Sequence, residues 1–205
     1  LLGVVPKKSI INMKKKVLIF SDCALFGGSE YVVVNILKDK TLNERYDFYF
    51  AYRDHKIYRD QICKLFTDEE RKKFIPIKLF SNKDFYHIVD SKFPHYFAYL
   101  IKIVLRAIEH TRVYDALNYF RIKKVLKQVS PDIVHGNNGG YPAADTCLVT
   151  MVASHDLGIR TVLQINNIPG TAKKYWDKRI KESTDTFIIA SKYSSELIQN
   201  IRDVT

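Results

Sequence analysis

The chain has 205 residues, 46% of them hydrophobic, enough for one well-packed domain with a sizeable core. Its 33 Lys and Arg against 22 Asp and Glu give a formal net charge of +11, a balance that suits nucleic acid, an anionic membrane surface or a phosphorylated ligand without choosing among them. No apolar run approaches the ~18 residues of a membrane-spanning helix. Cys23, Cys63 and Cys147 lack Cys-x-x-Cys or zinc spacing, and the six histidines contain no His-x-x-x-His pair, so three reduced thiols and no metal site are expected.

Residues 1–12 precede Met13 and are too short and too interrupted for a signal-peptide core. They read as a leader or vector-derived segment ahead of one domain over 13–205. Val17 to Phe20 is a short apolar run, a buried strand. Gly27-Gly28 follow, then Val32, Val33, Ile36 and Leu37 at helical spacing. Two adjacent glycines let backbone approach a bulky partner, and a helix start behind them offers free N–H groups and a positive dipole end. This strand–turn–helix reads as an anion or phosphate cradle.

Tyr46 to Tyr52 is a second strand by aromatic content, residues 53–73 form short helices and loops, and Phe74 to Phe80 is a third strand that Pro76 places near an edge. Residues 84–129 form the longest helical region. Phe97, Leu100, Ile101, Val104, Leu105 and Ile108 mark one stripe, and a second helix begins after a break near Thr111. Ser130-Pro131 ends it. A strand over Asp132–Gly136, a small-residue helix from Tyr141 to Leu157 stopped by Gly158, a strand at 161–165 and a strand at 185–190 follow. Ser191 caps a last helix. Continuous apolar strands alternating with helices predict an α/β fold: a doubly wound, mostly parallel, Rossmann-like sheet covered on both faces.

Ligands of such sheets sit at the carboxyl ends of the strands. Three loops leave those ends: Asp22–Gly28, Asn137–Tyr141 and Asn166–Gly170. Asn137, Asn138, Gly139, Asn166 and Asn167, with Gly27 and Gly28, are the candidate substrate-binding residues. Asparagine amides both donate and accept, which suits a polyhydroxylated ligand, although Asn and Gly also build ordinary turns. His135 ends a buried strand and reads as a satisfied structural histidine.

Gly27-Gly-x-Glu30 behind the first strand, the phrase Ser130-Pro-Asp-Ile-Val-His-Gly-Asn-Asn138, the strand before Asn166, and Thr186-Phe-Ile-Ile-Ala-Ser-Lys192 occur in an order that resembles the N-terminal, acceptor-binding domain of glycosyltransferase family 4. The resemblance implies one half of a GT-B fold. It implies a retaining enzyme that moves a sugar from a nucleotide-diphosphate sugar to a glycan or lipid-linked acceptor, with no metal and no cofactor beyond that donor. It names no catalytic residue here. The family commonly carries His where this chain has Asn166. Its nucleotide-sugar domain is absent from these residues, so the isolated chain is expected to be inactive. A non-catalytic sugar-binding or partner subunit of a split glycosyltransferase, and an unrelated nucleotide-binding α/β protein, are the other readings.

From Lys92 to Lys127, eight basic residues stand among Phe93, Tyr96, Phe97, Tyr99, Tyr114, Tyr119 and Phe120. Basic and aromatic residues on amphipathic helices suit an anionic membrane. A core-facing apolar stripe with a solvated basic face gives the same pattern. No nucleic-acid recognition motif is present. The reduced thiols fit a cytoplasmic protein, and if residues 92–127 meet a membrane they do so peripherally, at its inner face.

Overall fold

The computed structural model describes residues 14–23, 26–170 and 175–202, and the expected leader over 1–12 lies outside them. Six parallel strands form one sheet in the order β3-β2-β1-β4-β5-β6. They are β1 (Lys15–Ser21), β2 (Tyr46–Arg53), β3 (Phe74–Ile77), β4 (Ile133–Asn138), β5 (Arg160–Ile165) and β6 (Thr186–Ile189). The helices are α1 (Gly28–Lys38), α2 (Lys40–Arg45), α3 (Lys56–Leu65), α4 (Asn82–Lys92), α5 (His95–His110), α6 (Val113–Val129), α7 (Asp145–His155), α8 (Tyr175–Ser183) and α9 (Lys192–Leu197). The expected doubly wound, Rossmann-like sheet is thus the one found, with β1 at its centre and β3, carrying Pro76, at its edge.

Strand alternation divides the core in two. Leu18, Phe20, Val134, Leu163 and Ile165 face α6, α7 and α8, while Val17, Ile19, Phe50 and Tyr52 face α1 and α3. Each fully buried Leu, Ile or Phe contributes about 1.5–3 kcal/mol. Cover on the α1 side stops short of β6, where Ile188 is exposed. Both faces are therefore covered over the centre of the sheet but not at that edge.

Strand β3 ends at Ile77, short of the expected Phe80, and three further boundaries differ from the sequence expectation, each for a local reason. The helical region from 84 is broken by Pro94 as well as near Thr111, because Pro94 has extended ψ and caps α5. Strand β4 runs on through Asn137 and Asn138, which pair with Gln164 and Ile165 of β5. Helix α7 starts at Asp145 and not near Tyr141, because Tyr141–Ala144 make a turn that ends with Ala144 at φ 59°.

Gly136 explains how α7 reaches the sheet. A Cβ there would lie 2.8 Å from Met151 Cε, 3.1 Å from Cys147 Sγ and 3.3 Å from Leu163 Cδ1. Gly136→Ala should therefore overpack this layer and cost about 1–3 kcal/mol, with Gly136→Val costing more. Equilibrium denaturation of both variants checks it.

Candidate functional site

The chain builds outward from β1 first to β2 and β3, then crosses to β4 and β5, so the strand order reverses between β1 and β4. That is where open α/β sheets form their crevice. The turn after β1, the end of β4 and the segment after β5 meet there. A Cβ on Gly139 would touch Ser29 Oγ at 3.6 Å and Cys23 Sγ at 3.8 Å, and one on Gly140 would meet Asn167 Nδ2 at 3.7 Å.

Glu30 organises this junction. It is 1% exposed. Its Oε1 accepts from Ser21 Oγ at 3.1 Å and its Oε2 from Ser29 Oγ at 2.7 Å and the Gly27 N–H at 3.1 Å. The bond to Gly27 is the return half of a capping box, the reason a Glu belongs at the third helical position. Asn137 Nδ2 donates to Ser29 O at 3.2 Å and approaches Glu30 Oε1 at 3.5 Å.

From Asn137 a line of side chains continues across the strand tips. Asn166 Nδ2 donates to Asn137 Oδ1 at 2.8 Å and to Asn138 O at 3.1 Å. Gln164 Nε2 donates to Asn166 Oδ1 at 2.7 Å, and Gln164 Oε1 lies 3.0 Å from His135 Nε2. Since Oε1 can only accept, His135 carries its proton on Nε2. Burial holds this histidine below its usual pKa of 6.5, against the opposing pull of the Gln164 bond. Asn138 closes its own turn, donating to Ala143 O at 3.0 Å and accepting from the Gly140 N–H at 2.8 Å.

The candidate residues thus divide. Asn137 and Asn138 are buried and bonded within the protein, and Asn166 has both amide protons engaged. Asn167 is exposed, with its amide bonded to none of the described residues. Gly27 and Gly28 are exposed, and Gly139 is half-buried. A Cβ on Gly28 would meet nothing within 4 Å, so packing does not require a glycine there.

The expected phosphate cradle is altered by Glu30. Glu30 takes the Gly27 N–H and brings a carboxylate to the helix start, where its charge opposes the dipole's attraction for a ligand anion. The helix end offers an exposed anion only about 0.3–1 kcal/mol.

Sequence reasoning passed over Ser21, Gln164 and the role of Glu30. The spacing of Glu30 behind Gly27 was the available signal. It also passed over Asp22 and Arg53, a nearly buried ion pair of 2.5 Å joining the tips of β1 and β2, with Arg53 Nη1 donating to Leu79 O at 3.3 Å. Burial, reinforced by Glu30, pushes the Cys23 thiol up to about 12, which keeps it protonated. Tyr58 is buried below, its hydroxyl without a partner among the described residues. Two other hollows open at the opposite edge of the sheet: one of about 290 Å³ beside Asp47 and Phe74, one of about 510 Å³ beside Arg160 and Asp185. No group of His, Cys, Asp and Glu among the described residues could hold a metal ion.

No protein-family model matches the sequence, and no curated protein matches it significantly. Solved structures do match. A Listeria monocytogenes protein described as a UDP-N-acetylglucosamine 2-epimerase is 13% identical over 90% of this chain and 41% of its own, with a TM-score of 0.56. A glycosyltransferase from Rickettsia africae is 16% identical over 94% and 41%, with a TM-score of 0.53. MurG from Acinetobacter baumannii is 14% identical over 86% and 42%, with a TM-score of 0.50. The chain spans about two fifths of the length of these proteins. The likeness establishes the fold: a Rossmann-like α/β unit matching one domain of the GT-B architecture.

Asn166→His, which introduces the residue that glycosyltransferase family 4 commonly carries at the resembling position, should destabilise this protein. A neutral imidazole has one donor and cannot satisfy both Asn137 Oδ1 and Asn138 O, so about 1–3 kcal/mol is lost. Calorimetry should show a Tm lower by roughly 3–10 °C. His135 titrates below its unfolded value, so the unfolded state binds more protons as pH falls through about 6.5. Stability should be steady above that pH and fall below it. Subtracting the unfolding free energies of His135→Gln, measured across the same range, should remove part of the fall.

Proposed function

We propose that this domain binds the acceptor of a sugar-transfer reaction, as the N-terminal half of a retaining GT-B glycosyltransferase resembling family 4. The observation that carries the reading is the accessible lining of the crevice. Gly27, Gly28, Gly139 and Asn167 present backbone and a neutral amide around a helix start already occupied by Glu30. Neutral donors and acceptors with an open backbone approach fit sugar hydroxyls. Buried Asn137, Asn138 and Asn166 hold that lining in place. In this reading a nucleotide-diphosphate sugar is the donor and is held by a second domain across the crevice. The acceptor is a glycan or a lipid-linked glycan met at the cytoplasmic side of a membrane. The order of motifs along the chain supports the family, and the fold agrees with it.

Ligand-observed NMR with the 205-residue chain tests the acceptor reading, using a panel of neutral oligosaccharides beside nucleoside diphosphates and nucleotide sugars. Weak, saturable binding of at least one saccharide, with little binding of free nucleotides, is the expected result. Preferential nucleotide binding at Gly28 would overturn it. Gly28→Val should leave stability within about 0.5 kcal/mol, because valine is no poorer a helix former than glycine and meets open space. The same variant should lower saccharide affinity about tenfold or more by closing the backbone approach. Unchanged affinity would mean that the glycine pair is only a turn.

A further inference from the structure

Helix α5 presents an apolar face to solvent. Tyr96, Leu100 and Ile103 follow one another at helical spacing with Phe97, Val104 and Tyr99 beside them, and all six are exposed. Tyr96 is 68% exposed, and Phe97 and Val104 are each 58% exposed. At 3.6 residues per turn these six cover an arc of roughly 160°. No Lys, Arg, Asp or Glu falls inside it. The stripe expected to face the core is split: Ile101, Leu105 and Ile108 turn inward, while Phe97, Leu100 and Val104 turn outward.

The surroundings of the arc are basic. Arg106 borders it, and Lys92 is exposed at the end of α4 just ahead of it. The outward stripe of α6 begins apolar with Val113, Leu117 and Phe120, then turns basic with Lys124 and Lys127. The acids nearby are otherwise engaged or turned away. Asp90 pairs with Lys102 at 2.5 Å, Asp115 pairs with Arg112 at 3.2 Å, and Glu109 stands off the arc. The Arg112 guanidinium, between α5 and α6, also reaches Asp145 at 3.8 Å, the first residue of α7 at the crevice edge of the sheet. The turn between α5 and α6 therefore lies at the same edge of the sheet as the candidate site.

We propose that α5 lies in the interface of an anionic membrane, with its apolar arc among the acyl chains and Lys92, Arg106, Lys124 and Lys127 on the headgroups. An aromatic-rich apolar face with a basic border is the pattern of an interfacial helix. Self-association through the same surface would bring two basic borders together on a chain of net charge +11. Charge complementarity selects an anionic lipid surface. The proposal stands apart from the acceptor reading, since lipid binding and saccharide binding are measured separately.

Co-sedimentation with vesicles of phosphatidylglycerol and phosphatidylcholine, against phosphatidylcholine alone, tests it. The chain should bind the mixed vesicles, and part of that binding should survive high salt because the apolar arc holds it. Leu100→Trp should shift its added emission to the blue on binding and be quenched by brominated acyl chains. Phe97→Glu with Val104→Glu, at exposed positions, should leave the thermal transition unchanged and lower partitioning about tenfold or more. Lys124→Glu with Lys127→Glu should weaken the salt-sensitive part, by about fivefold or more for each basic residue lost, with Lys92 and Arg106 retaining the rest. Three results would each overturn the proposal: no binding to mixed vesicles at low salt, unshifted emission from Leu100→Trp on binding, or a solution dimer that the Phe97 and Val104 substitutions dissolve.

Discussion

A buried carboxylate must be met by donors, and Glu30 collects them from three directions. Ser21 comes from the end of β1, Gly27 and Ser29 from the helix start, and Asn137 from the end of β4. Leaving such a charge unmatched in the interior costs several kcal/mol, so each donor segment is held where Glu30 needs it. The glycine turn is thereby tied to β4, and β4 through Asn166 to β5. The crevice keeps its shape because breaking a tie to Glu30 leaves its charge short of a donor, and the bond from Asn166 holds Asn137 in place beside it.

That requirement also decides what the crevice can receive. A helix start behind two glycines reads as an anion site when only backbone is considered. Here the protein supplies its own anion from within the helix. Among the described residues, what remains open to a ligand includes a set of glycines and one neutral amide, which offer hydrogen-bonding capacity without charge. Arg53, at the tip of β2, is committed to Asp22 and to the backbone of Leu79.

Much of this fold is legible in the sequence because its strands are buried on both faces over most of the sheet. Val17–Phe20 and Thr161–Ile165 are short apolar runs bounded by turn residues, and their alternation with helices points to a parallel sheet without fixing its strand order. The polar tips resist such reading. Asn137 and Asn138 look like loop residues by composition, yet they continue β4 because β5 offers partners and their amides find acceptors nearby. Propensity has no knowledge of those partners. The same gap hides α5: an apolar stripe has the same spacing whether it meets a core or faces outward, and only the packed structure tells them apart. Glu30 was the reverse case, since its spacing behind Gly27 already encoded a bond back to the turn.

The amides between His135 and Glu30 have a further property. Each one donates toward Glu30 and accepts from the side of His135: Gln164 to Asn166, Asn166 to Asn137, Asn137 to the segment of Glu30. Their dipoles are therefore aligned head to tail. Turning one amide over would set two acceptors against each other on one side and two donors on the other, so no member can reverse alone. The fully reversed row is excluded as well, because Asn137 and Asn166 would then turn their amide oxygens onto the carbonyls of Ser29 and Asn138. The row thus behaves as a latch with a single setting, and its two ends are the crevice and a buried ring.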